Sequence, residues 1–459
     1  MRLRAIALAL LLSLVTSSTT AVVLAQETIR SGPTPLINPV APTSPGPTLE
    51  LAPNPFRALD RLEPQFGPPG FSEATDPSLL GPAPPSAPAR NNRPANNRRP
   101  MPTPVSSSRN STRNNSPFSP RLARAAPIMG DSFAPTIQIQ STDTGGMLDE
   151  HSHGPGVLLP QGGGGTRAKI AENSATLPMD RVIFNYNHFH NAISDFNQQS
   201  DVDRFTLGFE KTFLSSLFSI DVRLPLIANN DIVTDSFSRN GSELGNLSIS
   251  LKGLLSSNDD SAFVAGMTID IPTGQDTSAT LNRDIDPLLL VASNDAVHLA
   301  PYLGFLCAPG QGMSHQGFLQ VDVPTNGNDL QFSDASTATT TTNLLEQSLL
   351  YVDYSFSKLM YDSAGNSRKS CRLRRLSGLA ELHYTTTLED SDVVQISTSF
   401  NNFQITSFGN RIDVVNLTLG VHSVLDNGTQ LRLGTVSPIT DGDDRFFDFE
   451  FQAQLNIPL

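Results

Sequence analysis

From Arg181 to Leu459 apolar and polar residues alternate with a period of two, the spacing of β-strands that show one apolar and one polar face. The last segment is the clearest. Phe447, Phe449, Phe451, Ala453, Leu455, Ile457 and Leu459 share one face, and Asp448, Glu450, Gln452, Gln454 and Asn456 the other. The pattern recurs upstream: Phe205, Leu207 and Phe209 oppose Glu210, and Phe218, Ile220, Val222, Leu224 and Leu226 oppose Asp221 and Arg223. Leu247, Ile249 and Leu251 oppose Lys252; Phe263 to Ile271 oppose Asp270; Leu319, Val321 and Val323 oppose Asp322. Leu350 to Phe356 oppose Asp353, Ala380, Leu382 and Tyr384 oppose Glu381 and His383, and Val415 to Val421 oppose Asn416, Thr418 and His422. With noisier segments near 181–191, 296–308 and 428–438, which contains Arg432, the spacing predicts about twelve strands.

The expected connections are 192–203, 215–217, 228–243, 256–261, 274–295, 309–316, 326–348, 362–377, 389–413, 426–427 and 439–443. Long and short alternate through the first seven, as they do in up-and-down membrane barrels with long loops at one end and short turns at the other. An even strand number puts both ends of the domain on the same side. The fold expected is all-β, a membrane-spanning antiparallel up-and-down β-barrel of about twelve strands; Val393–Phe400 offers a further strand. A soluble β-sandwich also alternates, but it favours near-equal short turns and few charges on the hidden face. The absence of Trp and the scarcity of Tyr, 6 residues against 25 Phe, depart from the usual aromatic girdle.

Upstream the patterning disappears. Met1–Ala25 reads as a secretory signal, with Arg2 and Arg4 before the apolar Ala5–Val15 and a small-residue end at Val23–Ala25. Residues 26–128 form a disordered Pro/Arg/Asn-rich linker, since 23 of the 35 Pro fall between 31 and 128 and no apolar period survives there. Residues 129–180 are an irregular lead-in with one short strand near Thr136–Gln140 and a glycine run, Gly162–Gly165, that lacks the ending of a phosphate loop. The barrel domain is 181–459. It carries 16 Lys and Arg against 32 Asp and Glu, and this acidity disfavours nucleic acid as a partner.

If the apolar face meets lipid, the opposite face lines a lumen. Its charges are Glu210, Asp221, Arg223, Lys252, Asp270, Asp322, Asp353, Glu381, Arg432, Asp448 and Glu450, eight acids against three bases. Rings of carboxylates favour cations in a pore, which points to a cation-preferring or polar-solute path; the competing expectation is a polar, paired interior with no passage. No nucleophile-elbow motif appears, so no enzyme is expected, and no cofactor motif either. His188 and His190 share a strand face, but that face shows no carboxylate partner in the sequence, so a structural role is expected and no metal site. His151 and His153 form a second close pair. The basic run Arg368, Lys369, Arg372, Arg374 and Arg375 falls on an expected short-turn side. Cys307 and Cys371 are the two cysteines, a pair that export would allow to oxidise. The five Asn-x-Ser/Thr matches include two inside strands, Asn246 and Asn416, and are read as chance.

A signal peptide, a low-complexity region and then Asp180-Arg181-Val182-Ile183-Phe184-Asn185-Tyr186-Asn187-His188-Phe189 opening a β-rich domain resembles outer-membrane transporters of the MetA-pathway-of-phenol-degradation type. The resemblance implies a FadL-like or porin-like barrel in the bacterial outer membrane that passes small solutes. It covers about Asp180–Leu459. The last strand resembles the C-terminal signal read by the barrel-assembly machinery, with Phe447, Phe449 and Phe451 on the lipid-facing parity; Leu459 departs from its usual aromatic end. The expected partners are therefore outer-membrane lipid, that machinery and small solutes. The alternative class is a non-transporting envelope protein, either a soluble sandwich or a closed anchoring barrel.

Overall fold

The computed structural model describes residues 118–132, 136–141 and 157–160, and 165–459 apart from short stretches within the connections. The expected signal peptide and most of the Pro-rich segment lie outside the described residues, as do His151, His153, Gly162–Gly164, Arg368, Lys369, Cys371 and Arg372.

Twelve antiparallel strands make the wall. They are β1 (Arg181–Asp195), β2 (Gln198–Phe213), β3 (Phe218–Ala228), β4 (Leu247–Ser257), β5 (Ser261–Ile271), β6 (His298–Gly310), β7 (Met313–Pro324), β8 (Leu349–Asp362), β9 (Leu373–Thr387), β10 (Asp413–Leu425), β11 (Gln430–Pro438) and β12 (Phe449–Pro458). Each pairs with its neighbours in the chain, and β12 pairs with β1 from Phe449↔His190 to Pro458↔Arg181, so the sheet closes on itself. Closure leaves no unpaired edge and excludes the sandwich. No helix among the described residues is long and apolar enough to cross a membrane.

The end carrying Arg181 and Leu459 has tight turns. Between β6 and β7 only Gln311 and Gly312 intervene, with φ of 52° and 70°. That conformation suits a two-residue hairpin whose twist matches its strands, and it favours glycine at the second position. The opposite, loop end is elaborate. The segment 192–203 is not a loop: β1 runs on to Asp195 and β2 starts at Gln198. The extra strand expected at 393–400 forms over Val393–Ser397. It pairs with Asn402–Ser407 in a four-stranded loop-end sheet completed by Thr136–Ser141 and Val157–Pro160, and so adds nothing to the wall. Six short strands from three other long connections, the last of them Thr340–Leu344, make a second sheet. The two sheets share one dry cluster in which Ala279, Leu290, Ala292, Leu330, Phe332 and Leu344 meet Ile396 and Ile405.

The outer face is apolar. Leu207, Phe209, Phe263, Leu303, Leu319, Val352, Leu382, Leu419, Leu433, Phe451 and Ile457 are exposed there, a band that a bilayer would cover. At the loop end it is bordered by Tyr186, whose hydroxyl donates to Asp203 at 2.8 Å, and by Tyr384, which donates to Asp413 at 2.6 Å. Lys211, Lys358, Tyr361 and Arg374 border it at the turn end. Tyr and His thus take rim positions where Trp would be expected.

Candidate functional site: the filled lumen

The barrel interior holds two arms of its own chain. Residues 118–132 enter at the turn end, where Ser119 Oγ donates to the Asp259 carbonyl at 2.6 Å, and reach the loop end near Glu450. Residues 165–180 return, from the Gly165 carbonyl that accepts the Asn246 N–H at 3.1 Å to Asp180 beside Thr212. The arms touch through an antiparallel bridge between Ile128 and Ser174. Residues 118–125 therefore sit at the turn-end mouth with Leu122 buried and Arg121 and Arg124 exposed, and 126–128 lie inside the wall, although their composition matches the Pro-rich segment before them.

An extended chain inside a barrel must still satisfy its backbone groups. The polar face of the wall supplies the partners. Glu381 accepts the N–H groups of Met129 and Gly130 at 2.9–3.1 Å. Arg432, Gln454 and Gln452 donate to the carbonyls of Ile128, Met129 and Gly130 at 2.9, 2.9 and 3.0 Å. Gln320 accepts from Ile170 N–H at 2.7 Å and donates to the Ala168 carbonyl at 3.0 Å. Asp270 accepts from Ala168 N–H, and Lys252 donates to the Ala175 carbonyl.

Side-chain charges are paired as well. Lys169 on the second arm contacts Asp131 on the first and lies 2.9 Å from Asp353 of β8, with His383 of β9 2.8 Å from Asp353. The ammonium also stands 5.3 Å from the centre of the Tyr351 ring. Asp131, Asp353 and His383 bring ligating atoms within 4.8 Å of one another. Lys169 already pairs with both carboxylates of that group. Arg167 binds Glu346 at 2.6 Å, close to the His298–Asp322 pair. Glu210 receives Arg181 at 2.9 Å and Lys252 at 3.2 Å, Asp221 receives Arg223 at 2.6 Å, and Arg204 reaches Glu172.

Shape completes the fit. Met129 is fully buried over Gly420 and Gly434, where an added Cβ would come within 2.5 Å and 2.8 Å of its Sδ and Cε. Leu122, Ile128, Ile170, Ala171 and Leu177 pack on Leu254, Val264, Leu306 and Phe318 of the inner wall.

Glu210, Asp221, Arg223, Lys252, Asp270, Asp322, Asp353, Glu381, Arg432 and Glu450 all point inward and are buried. Asp448 does not join them. It precedes β12, is partly exposed, accepts from Arg445 at 2.5 Å and Asn191 at 2.6 Å, and lies outside the lumen. Phe449, Phe451 and Leu459 are exposed, whereas Phe447 turns in against Phe189 and Val436, because the strand begins two residues later than the alternation suggests. Sequence reasoning missed Asp131, Arg167, Lys169 and Glu172, since they belong to arms with no period to reveal a face. Arg181, Arg204, His298, His383 and Glu346 were also uncounted, though the first four lie on recognisable strands. The histidine pair is corrected too: Asp203 and Asp201 of β2 face His188 and His190.

No protein-family model and no curated protein matches the chain. Solved structures that are similar include the β domain of a Bordetella autotransporter, BrkA (11% identity, 61% of this chain and 100% of that one, TM-score 0.34). The translocator domain of the Neisseria meningitidis autotransporter NalP (10%, 61% and 87%, 0.37) and the Pseudomonas putida toluene transporter TodX (10%, 64% and 94%, 0.35) are others. At this distance they assign no function.

Proposed function

We propose that the chain is a bacterial outer-membrane barrel that passes small solutes and is held shut by its own luminal hairpin. The observation that carries this reading is the chemistry of the hairpin–wall contact: charged and hydrogen-bonded along most of its height, where a permanent filling would gain at least as much from apolar packing. A polar seal is one that water and salt can replace when the arms withdraw. The apolar outer band supports the membrane placement, and the resemblance carried by Asp180–Phe189 supports solute passage. Phe449, Phe451 and Leu459 are offered to the assembly machinery as its C-terminal signal. With the arms out, the eight carboxylates of Glu210, Asp221, Asp270, Asp322, Glu346, Asp353, Glu381 and Glu450 would outnumber the five bases Arg181, Arg204, Arg223, Lys252 and Arg432 and favour cations.

A non-transporting anchoring barrel is the second reading, favoured by the dry cluster that joins the loop-end sheets. A reversible cross-link separates the two. Ala126 and Leu379 share one buried cluster, so Ala126→Cys/Leu379→Cys, with Cys307 and Cys371 changed to Ser, would lock the first arm to β9. Liposome uptake of small solutes that stops on oxidation and resumes on reduction is expected. Uptake indifferent to the cross-link refutes gating by the hairpin, and no uptake in either state favours the anchor.

A further inference from the structure

Where the first arm enters at the turn end, a cavity of about 230 Å³ separates it from the wall. Arg121 and Arg124 of the arm line it, together with Ser314, Ser357 and Ser377 of β7, β8 and β9. Ser314 and Ser357 bond to each other at 2.5 Å. Ser377 is 5% exposed, and among the described residues its hydroxyl has no hydrogen-bond partner. Arg121 is held by Asp260. Arg124 is held more loosely: its guanidinium stands 3.8 Å from Asp362, beyond hydrogen-bonding distance, and donates to no other group among the described residues.

The strands around Ser377 carry two more groups of this kind. Arg375 lies two residues nearer the turn end on the same face of β9, and its buried Nε has no partner. Its charged neighbours are Arg374 and Arg124, both of its own sign, and Asp362. Among the described residues neither Arg374 nor Arg375 has an ion pair. His422 of β10 sits directly opposite Ser377 and is 4% exposed. Gln430 borders its ring, but its Nε2 has no hydrogen-bond partner, and its charged neighbours are Arg432 and Arg375. A polar group left buried without a partner is costly. Several of them, gathered where positive charge is in excess, call for an anionic acceptor.

We propose that Arg124, Arg375 and Ser377 form a binding site for a compact oxyanion, phosphate or a phosphate ester, with His422 as a further donor from the neighbouring strand. A guanidinium gives two parallel N–H groups to anionic oxygens, and bonds to a charged acceptor are stronger than neutral ones. One guanidinium fills a planar carboxylate, whereas a tetrahedral oxyanion accepts from the arm and from the wall at once. Arg124 belongs to the arm and Arg375 and Ser377 to the wall, so the anion bridges them and holds the arm in place. The site is a property of the filled barrel and does not rest on solute passage.

The test is calorimetric titration of the full chain in a nonionic detergent with inorganic phosphate at constant ionic strength, its fold checked by heat-modifiable gel mobility. One phosphate per chain is expected, with a higher melting midpoint when it is bound. Arg124→Gln and Arg375→Gln should each weaken binding about tenfold or more, and Ser377→Ala, a small change that leaves the wall intact, about fivefold. Arg411→Gln, at the loop end, should change nothing. A parallel titration with phosphatidylglycerol in the same micelles separates the sources: binding of that lipid alone, weakened in Arg375→Gln, assigns the site to a headgroup. The proposal fails if neither phosphate source binds the folded chain, if folded Arg124→Gln and Ser377→Ala both bind it as the parent does, or if acetate binds as tightly as phosphate.

Discussion

Lys169→Met removes the one ammonium that stands between the two arms and the wall while keeping most of the aliphatic volume over Tyr351. Asp131, which Lys169 contacts, and Asp353, 2.9 Å from it, are then left facing each other with His383 beside them. Removing one partner of a buried pair costs about 3–5 kcal/mol. Most of that cost falls on the state with the hairpin inside, because withdrawal lets water reach the stranded carboxylates. At ~1.4 kcal/mol per decade the equilibrium between filled and open lumen shifts by roughly two to three and a half orders of magnitude. Asn416, which donates to Asp131 at 2.8 Å, still holds that carboxylate, so the lower half of that range is expected. The assay is open probability in planar bilayers, set beside heat-modifiable mobility to show that the wall is intact. Asp131→Asn in the same background should recover about 0.5–3 kcal/mol, the usual coupling of contacting residues. A folded Lys169→Met variant with parental conductance and parental denaturation midpoint would falsify the account of the ion cluster as the latch.

Two smaller perturbations bear on the same hairpin. Gly434→Val places methyl groups where Met129 Cε sits 2.8 Å from an ideal Cβ; overpacking of about 1–3 kcal/mol should loosen the first arm and raise solute uptake, and Met129→Ala should reverse it. Asp180, at the foot of the second arm, accepts from Thr212 N–H at 2.6 Å, Thr212 Oγ1 at 2.8 Å and Lys211 at 3.1 Å. Burial is the largest single influence and pushes its pKa up, but the bonds from Thr212 and Lys211 together outweigh it and hold the carboxyl below its ordinary value. A depressed carboxylate contributes stability that is complete above its unfolded value and fades as pH falls through the folded one. The melting temperature of the parent should therefore drop more steeply than that of Asp180→Asn below about pH 4; parallel profiles would show that Asp180 is not tied in.

The wall was legible because a barrel strand repeats every two residues, so Glu210, Asp270 or Glu450 announces its face through its neighbours. Closure by pairing of β12 with β1 and an even strand number follow from the same pattern. The hairpin was not legible. Its arms have neither period, and their groups are satisfied by side chains more than a hundred residues away, such as Glu381 for Met129 and Gln320 for Ile170. The polar face that reads as a water-filled pore is the same face that satisfies a buried chain; alternation cannot tell water from backbone. Gly420 and Gly434 were silent for a related reason, since their role is space for a methionine that the strand pattern does not contain. At the rim, Asp201 and Asp203 were hidden by an expected loop, because the β1–β2 hairpin outlasts the apolar alternation.

Why the hairpin–wall contact is ionic can be decided by replacing it. Arg167 and Glu346 are both buried and 2.6 Å apart at the loop end of the lumen. If the pair served stability alone, Arg167→Met/Glu346→Leu should be neutral or stabilising by about 1–4 kcal/mol, as buried ion pairs exchanged for packed apolar groups often are. The neighbours complicate this, since Asp322 and His298 lose a nearby charge of each sign together, and their mutual contact at 3.0 Å survives. The double variant should then fold, denature at or above the parental midpoint, and conduct less than the parent, because an apolar seal gives water nothing to replace. Arg167→Met alone should do the reverse, leaving Glu346 and Asp322 buried beside His298 and opening the lumen. If both variants leave conductance at the parental level while shifting stability in these opposite directions, the ionic contact has no gating role and the barrel is an anchor.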